Sequence, residues 1–266
     1  MTRAGGLAAD YRADGRSDRC PIIDVHGHMG TFAGIYMPRG SAEAMIGTMD
    51  RCGVRMLVFC HFDALFCPDV GNAANVEAVR RYPDRLRAYL GVNPNHPESL
   101  ERDLASFDGL RDVYAGLKIL ASYHRTPWDS PAYDRAWRFA DERRLPVLAH
   151  TWGHDIFNGQ QQVRKAAAKY PNVRLIIGHS LWGAWDEAVS IGREFSNVYL
   201  DLTAVLSVRG PLERFVAAGL TKKVLFGTDL PWFDEQHGVG SLLSSSITED
   251  DIHNICHRNA EKLLGL

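Results

Sequence analysis

The chain has 266 residues, 45% of them hydrophobic and 23% charged, with a formal net charge of −2. That balance offers no electrostatic footprint for nucleic acid or an anionic membrane, and no run approaches the roughly 18 apolar residues of a membrane span. Cys20, Cys52, Cys60, Cys67 and Cys256 are odd in number and lack CxxC spacing, so they read as reduced thiols of a cytoplasmic protein, not as a disulfide framework or zinc ribbon.

The opening segment MTRAGGLAADYRADGRSDRC mixes arginine with aspartate and carries no apolar signal region. It predicts a flexible tail over 1–20 ahead of a single domain over 21–266. Eight short apolar runs then follow: PIIDVH, RMLVFCHF, RAYLGVNP, AGLKIL, PVLAHT, VRLIIGHS, VYLDLT and KVLFGTD. Between them lie segments with apolar residues at helical spacing, such as Leu100, Leu104 and Phe107, or Ile252, Ile255, Ala260 and Leu263. Ser41, Asn72 and Thr248 are candidate helix caps. Continuous apolar runs alternating with helices indicate a parallel sheet buried on both faces. Eight such units predict an α/β fold of the closed (β/α)8 TIM-barrel type. HGHMGTFAG, after the first run, lacks the GxGxxG spacing of a doubly wound nucleotide-binding sheet.

In such a barrel the functional residues gather at the C-terminal ends of the strands. Run one ends at His26 and His28, run four contains Lys118, and run five ends at His150. Run six ends at His179 and run eight at Asp229. Strand alternation puts Asp24, His26 and His28 on one face. Four such polar ends at one mouth are costly unless something satisfies them. A divalent cation does so with nitrogen and oxygen donors at about 2.0–2.2 Å for zinc. Asp229 would serve equally as a helix cap if it stood alone.

The order HxH, Lys, His, His, Asp resembles the amidohydrolase superfamily. The phrases GLKI, LPVLAHT, NVRLIIGHS, NVYLDL, VLFGTDLP and NAEKLLGL narrow the resemblance to its amidohydrolase-related branch of metal-dependent hydrolases and decarboxylases. The likeness runs from about residue 21 to the C-terminus. It implies that His26, His28, His150 and Asp229 hold one metal, zinc first, with manganese or iron as alternatives. It also implies that Asp229 and His179 act catalytically, His179 beside an activated water. In two-metal members a lysine in the position of Lys118 is carboxylated and bridges the ions, with His179 as a further ligand. Lys118 is otherwise a candidate for binding a substrate carboxylate, or a buried lysine paired with Asp201. Asp24 has the parity to orient an imidazole or to pair with Lys118.

Trp152, Trp182 and Trp232 each follow a candidate ligand by two or three residues, with Tyr123 and His124 after run four. Three indoles could wall a pocket for an aromatic or cyclic substrate. They would serve equally by packing their loops on neighbouring helices. His61, Asp63, His154, Asp155 and Arg39 receive no role, and His237, His253 and His257 read as structural.

The leading expectation is a hydrolase that uses metal-activated water on an amide, lactone or related bond of a small molecule. DxHxH in place of ExH, and the compact length, favour it. A nonoxidative decarboxylase of an aromatic-type acid is the alternative, and a non-catalytic metal-binding scaffold the third reading. A homodimer is compatible with the branch, but no interface signature is legible.

Overall fold

The computed structural model describes residues 5–32 and 34–266. Eight strands alternate with helices: β1 (Ile22–Met29), β2 (Val54–His61), β3 (Leu86–Val92), β4 (Tyr114–Ile119), β5 (Pro146–Trp152), β6 (Arg174–Trp182), β7 (Val198–Asp201) and β8 (Val224–Leu225). All pair in parallel and in sequence order. This is a TIM barrel.

β8 is shorter than its apolar run because the chain beyond Leu225 turns to meet β1. Val25 N donates to Phe226 O (3.0 Å), Asp229 N to His26 O (2.7 Å) and His28 N to Leu230 O (2.7 Å). These bonds bring the barrel close to closure and fix Asp229 beside the HxH motif. Ile23, Val25, Val58, Cys60, Tyr89, Leu148, Ile176 and Leu225 form one buried cluster. Alternating residues such as Ile22, Leu57, Phe59, Leu117, Leu175 and Leu200 pack into a second with the helices. The period of two thus divides each strand between two cores.

Ser41 caps the helix Ala42–Cys52, accepting from Ala44 N, and Thr248 forms a capping box with Asp251. Asn72 is not a cap. Its helix begins at Pro68, whose fixed φ suits a first turn, and the Asn72 amide instead donates to Gly91 O at 3.1 Å.

The segment expected to be a mobile tail differs as well. Residues 1–4 of it lie outside the described residues, but Leu7–Asp14 is a helix laid against the barrel. Leu7 is buried, its N–H donates to Glu249 Oε1 (2.9 Å), and Tyr11 OH donates to Gln236 O (2.7 Å). Its single deeply buried side chain gives too weak a periodicity to be seen in the sequence. Among the described residues no helix is long and apolar enough to cross a membrane, and all five cysteines are free.

Candidate metal centre and its aromatic pocket

β1 supplies the first two imidazoles. Three steps along β1, from Asp24 to Gly27, span only two along β2, from Leu57 to Phe59. That bulge breaks the strict alternation assumed from the sequence. His26 and His28 reach Asp229, their Nε2 atoms lying 3.3 and 3.2 Å from its Oδ1. Asp24 neither touches an imidazole nor pairs with Lys118. Its Oδ1 accepts from His26 N (2.9 Å) and Thr228 N (3.2 Å), and its other oxygen bonds the Thr228 hydroxyl. Burial pushes the Asp24 carboxyl up to about 8. It braces the β1–β8 seam instead.

The carboxylate that orients His26 comes from β7. Asp201 Oδ2 stands 2.7 Å from His26 Nδ1 and accepts from His179 N at 3.1 Å. Its Oδ1 accepts from Thr203 N (3.1 Å) and Thr203 Oγ1 (2.9 Å). With Nδ1–H committed to Asp201, His26 keeps Nε2 as its acceptor nitrogen, which in this structure faces Lys118 and Asp229. From the sequence Asp201 is a candidate only as a partner of Lys118. Its signal is nonetheless there, as the polar end of the one late strand without a histidine or terminal metal candidate.

Lys118 is wholly buried, and its Nζ lies 2.7 Å from His26 Nε2, beneath the mouth and not along the cavity wall. The Lys118–Asp201 pair considered from the sequence is absent because Asp201 is engaged by His26, His179 and Thr203. Desolvation, the largest influence, lowers the Lys118 ammonium to about 8.

His150 and His179 complete the cluster, with His150 Nδ1 3.0 Å from His179 Nε2. Burial holds His28 and His179 near 4 and pushes His150 well below its ordinary value, so all three are neutral at pH 7 with lone pairs available. For Asp229, burial alone would raise the pKa. The surrounding imidazoles, His26 first, more than offset it and leave the group a carboxylate. His179 and Asp229 both adopt positive φ, 63° and 67°. Such backbone costs on the order of 1–3 kcal/mol in non-glycine residues and concentrates at functional sites.

Ligand atoms of His26, His179 and Asp229 all lie within 4.8 Å of one another. Two donors each about 2.1 Å from one ion stand about 3.0–3.4 Å apart, which is the spacing found here between Asp229 and both β1 imidazoles. Asp229 Oδ1 and His179 Nδ1 are buried without a hydrogen bond of good geometry. An unpartnered carboxylate oxygen and an unpartnered ring nitrogen beside further imidazoles fit a divalent cation, and the nitrogen–oxygen set suits zinc, manganese or iron.

A cavity of about 140 Å³ opens directly on this cluster. His28, His150, His179 and Asp229 form its floor, and Phe62, Leu120, Tyr123, Trp152, Trp232 and Phe233 its wall. Phe62 stacks on His28 (centroids 4.5 Å, 12°) and Trp152 on His150 (6.0 Å, 5°), so the wall also sets the imidazole planes. Trp182 is not part of the wall. It stands behind Trp152 (5.6 Å) and against Trp185 (5.2 Å), because its backbone pairs with Trp152 across β5 and β6. Phe32, Phe62 and Phe233 went unrecognised in the sequence. Phe32 packs with Phe62, Tyr123 and Trp232 at 5.5–5.8 Å, a contact among separate loops that no local spacing encodes. His124 turns inward under the pocket, bonded to Tyr133 and Leu65 O, and His61 caps the helix Phe62–Phe66.

A buried His/Asp cluster able to hold a divalent cation, at the mouth of an eight-stranded parallel barrel, defines a metal-dependent barrel enzyme. The chain belongs to the amidohydrolase family, whose sequence profile matches residues 23–266. No curated protein matches it in sequence. Among solved structures it is similar to 5-carboxyvanillate decarboxylase from Novosphingobium aromaticivorans, with manganese and 4-hydroxy-3-methoxy-5-nitrobenzoic acid bound. That match has 14% identity and TM-score 0.75, over 93% of this chain and 96% of the other. A dihydroxybenzoic acid decarboxylase from Polaromonas sp., with manganese and the inhibitor 2-nitroresorcinol, matches at 17% identity and TM-score 0.75, over 93% and 97%. A putative amidohydrolase from Staphylococcus aureus matches at 15% identity and TM-score 0.74, over 92% and 100%. At these identities the likeness establishes the fold.

Proposed function

We propose that this protein is a metal-dependent nonoxidative decarboxylase of a small aromatic carboxylic acid. The observation that carries the reading is the ring-walled cavity opening straight onto the His/Asp cluster. Its volume of about 140 Å³ suits one substituted ring, since a cavity of about 150 Å³ admits benzene. The decarboxylases of similar fold bind manganese and single-ring aromatic ligands, which supports the same reading. Those matches span nearly their whole chains, so compact length no longer argues for hydrolysis.

A divalent cation held by His26, His28, His150 and Asp229 would supply a Lewis acid for the substrate carboxylate and a neighbouring oxygen. The chain's own groups do the rest. Trp152, Phe62 and Tyr123 hold the ring and exclude water. The bond from ring carbon to carboxyl carbon breaks, its electron pair stays on the ring carbon, that carbon takes one proton, and carbon dioxide leaves. Asp229 is the carboxylate facing the ring. Held as a carboxylate at neutral pH, it takes the proton of the substrate's neighbouring hydroxyl and passes it to the ring carbon, and the phenolate so left regains a proton from solvent. His179, neutral beside it, holds the substrate oxygen or relays the proton.

The test is incubation of the metal-loaded protein in deuterium oxide with hydroxybenzoic acids that carry an oxygen next to the carboxyl group. Released carbon dioxide with one deuterium at the former carboxyl position is expected. Solvent oxygen appearing in the product of an ester, lactone or amide, with every aromatic acid left untouched, would replace this reading with hydrolysis.

A further inference from the structure

We propose that Cys20, His253 and His257 form a second, structural metal site for a zinc-class divalent cation, at the seam between the start of β1 and the last helical segment. Ligand atoms of these three residues all lie within 4.8 Å of one another. Cys20 is buried two residues before β1 begins, and the two histidines are partly buried. Along β1, at about 3.3 Å per residue, Cys20 is about 20 Å from His26. The cluster therefore sits at the end of the barrel away from the mouth, where stability and not chemistry is concentrated.

The local structure suits a ligand pair. Glu249–His253 and Asn259–Leu264 are α-helical, and the π-turn Asn254–Arg258 between them packs against β1. Such turns are uncommon and recur at functional sites. His253 Nδ1 and His257 Nε2 are 3.2 Å apart, the separation of two donors on one ion. His257 Nδ1 lies 3.2 Å from Glu261 Oε2, leaving Nε2 turned toward His253. A carboxylate on the far nitrogen is the usual support of a metal-bound imidazole. One thiolate with two imidazoles selects zinc-like cations over magnesium or calcium, which prefer oxygen. The residues that read as structural from the sequence would thereby tie the chain ahead of β1 to the C-terminal helix.

Cobalt(II) is the probe, added to the full-length, reduced, metal-free protein. No cysteine lines the cavity at the mouth, so a thiolate-to-cobalt charge-transfer band reports the distal site, where Cys20 lies against Cys256, and the Cys20→Ser variant assigns it to Cys20. Two equivalents should bind, with that band present. Cys20→Ser should lose the band and one equivalent, whereas His26→Ala/His28→Ala should keep the band. His253→Gln/His257→Gln, at less buried positions, should lose the same band and equivalent even if Cys20→Ser folds poorly. A wild-type protein that binds one equivalent without the band overturns the proposal, as does a band that survives in Cys20→Ser or in His253→Gln/His257→Gln.

Discussion

His26 Nδ1 lies 2.7 Å from Asp201 Oδ2, with both side chains fully buried. A barrel-lining imidazole could present either nitrogen to an ion, and this contact settles which. The same carboxylate oxygen accepts from the backbone of His179, so one residue of β7 holds a side chain of β1 and the main chain of β6. Asp201→Asn keeps the volume and removes the charge that holds the tautomer. Metal affinity should fall about 10–100-fold, the usual effect of losing such a partner. Chelator competition on the purified variant measures it. Unchanged affinity would mean that Lys118, 2.7 Å from Nε2, orients the ring instead.

Removing the β1 imidazoles should separate metal from fold. His26→Ala/His28→Ala deletes two groups that meet Asp229 but leaves the strand core of Ile23, Val25 and Val58 intact. The variant should remain folded by circular dichroism and lose the mouth ion and turnover. Full occupancy at the mouth by elemental analysis would contradict the assignment.

The barrel was legible because each buried strand is a continuous apolar run, and the polar strand ends told where its chemistry gathers. His26, His28, His150, His179 and Asp229 could therefore be brought together from sequence. Asp24 could not be placed, because a bulge between it and Gly27 is invisible to a rule of strict alternation. Phe32 and Phe62 were missed for another reason: they meet across loops, and loop geometry depends on contacts distant in the chain. Trp182 had the same local spacing as Trp232, yet β5–β6 pairing set it behind Trp152.

That difference makes a comparison of tryptophans informative. Trp152 and Trp232 line the cavity, while Trp182 touches only the back of the wall. Truncating a ring that contacts substrate should raise KM about 10-fold or more, with a smaller effect on kcat. Trp152→Ala and Trp232→Ala should behave so, and Trp182→Ala should shift KM by less than about threefold. Steady-state kinetics on an aromatic acid would decide it. Equal losses in all three would show that the wall acts as one packed unit.

His124 should make stability depend on pH beneath the pocket. One ring nitrogen lies 2.6 Å from Leu65 O and the other 2.5 Å from Tyr133 OH. The neutral imidazole satisfies both by donating to the carbonyl and accepting from the phenol; a second proton would reverse the Tyr133 bond and leave the phenol hydrogen without this acceptor. Burial, the largest cause, lowers its pKa from 6.5 to about 4. Above about pH 6.5 neither state binds the proton, and this contribution to stability is complete. As pH falls from 6.5 toward 4 the unfolded chain takes up a proton that the folded one refuses, so stability falls. The loss reaches about 3 kcal/mol near pH 4 and then levels off. His28 and His179 titrate in the same window in the metal-free chain, so the informative quantity is the difference from His124→Gln. The amide introduced by that substitution can still donate to Leu65 O and accept from Tyr133 but does not titrate. Urea unfolding at pH 7 and at pH 4.5 should show a smaller drop for the variant, and identical drops would remove His124 from the account.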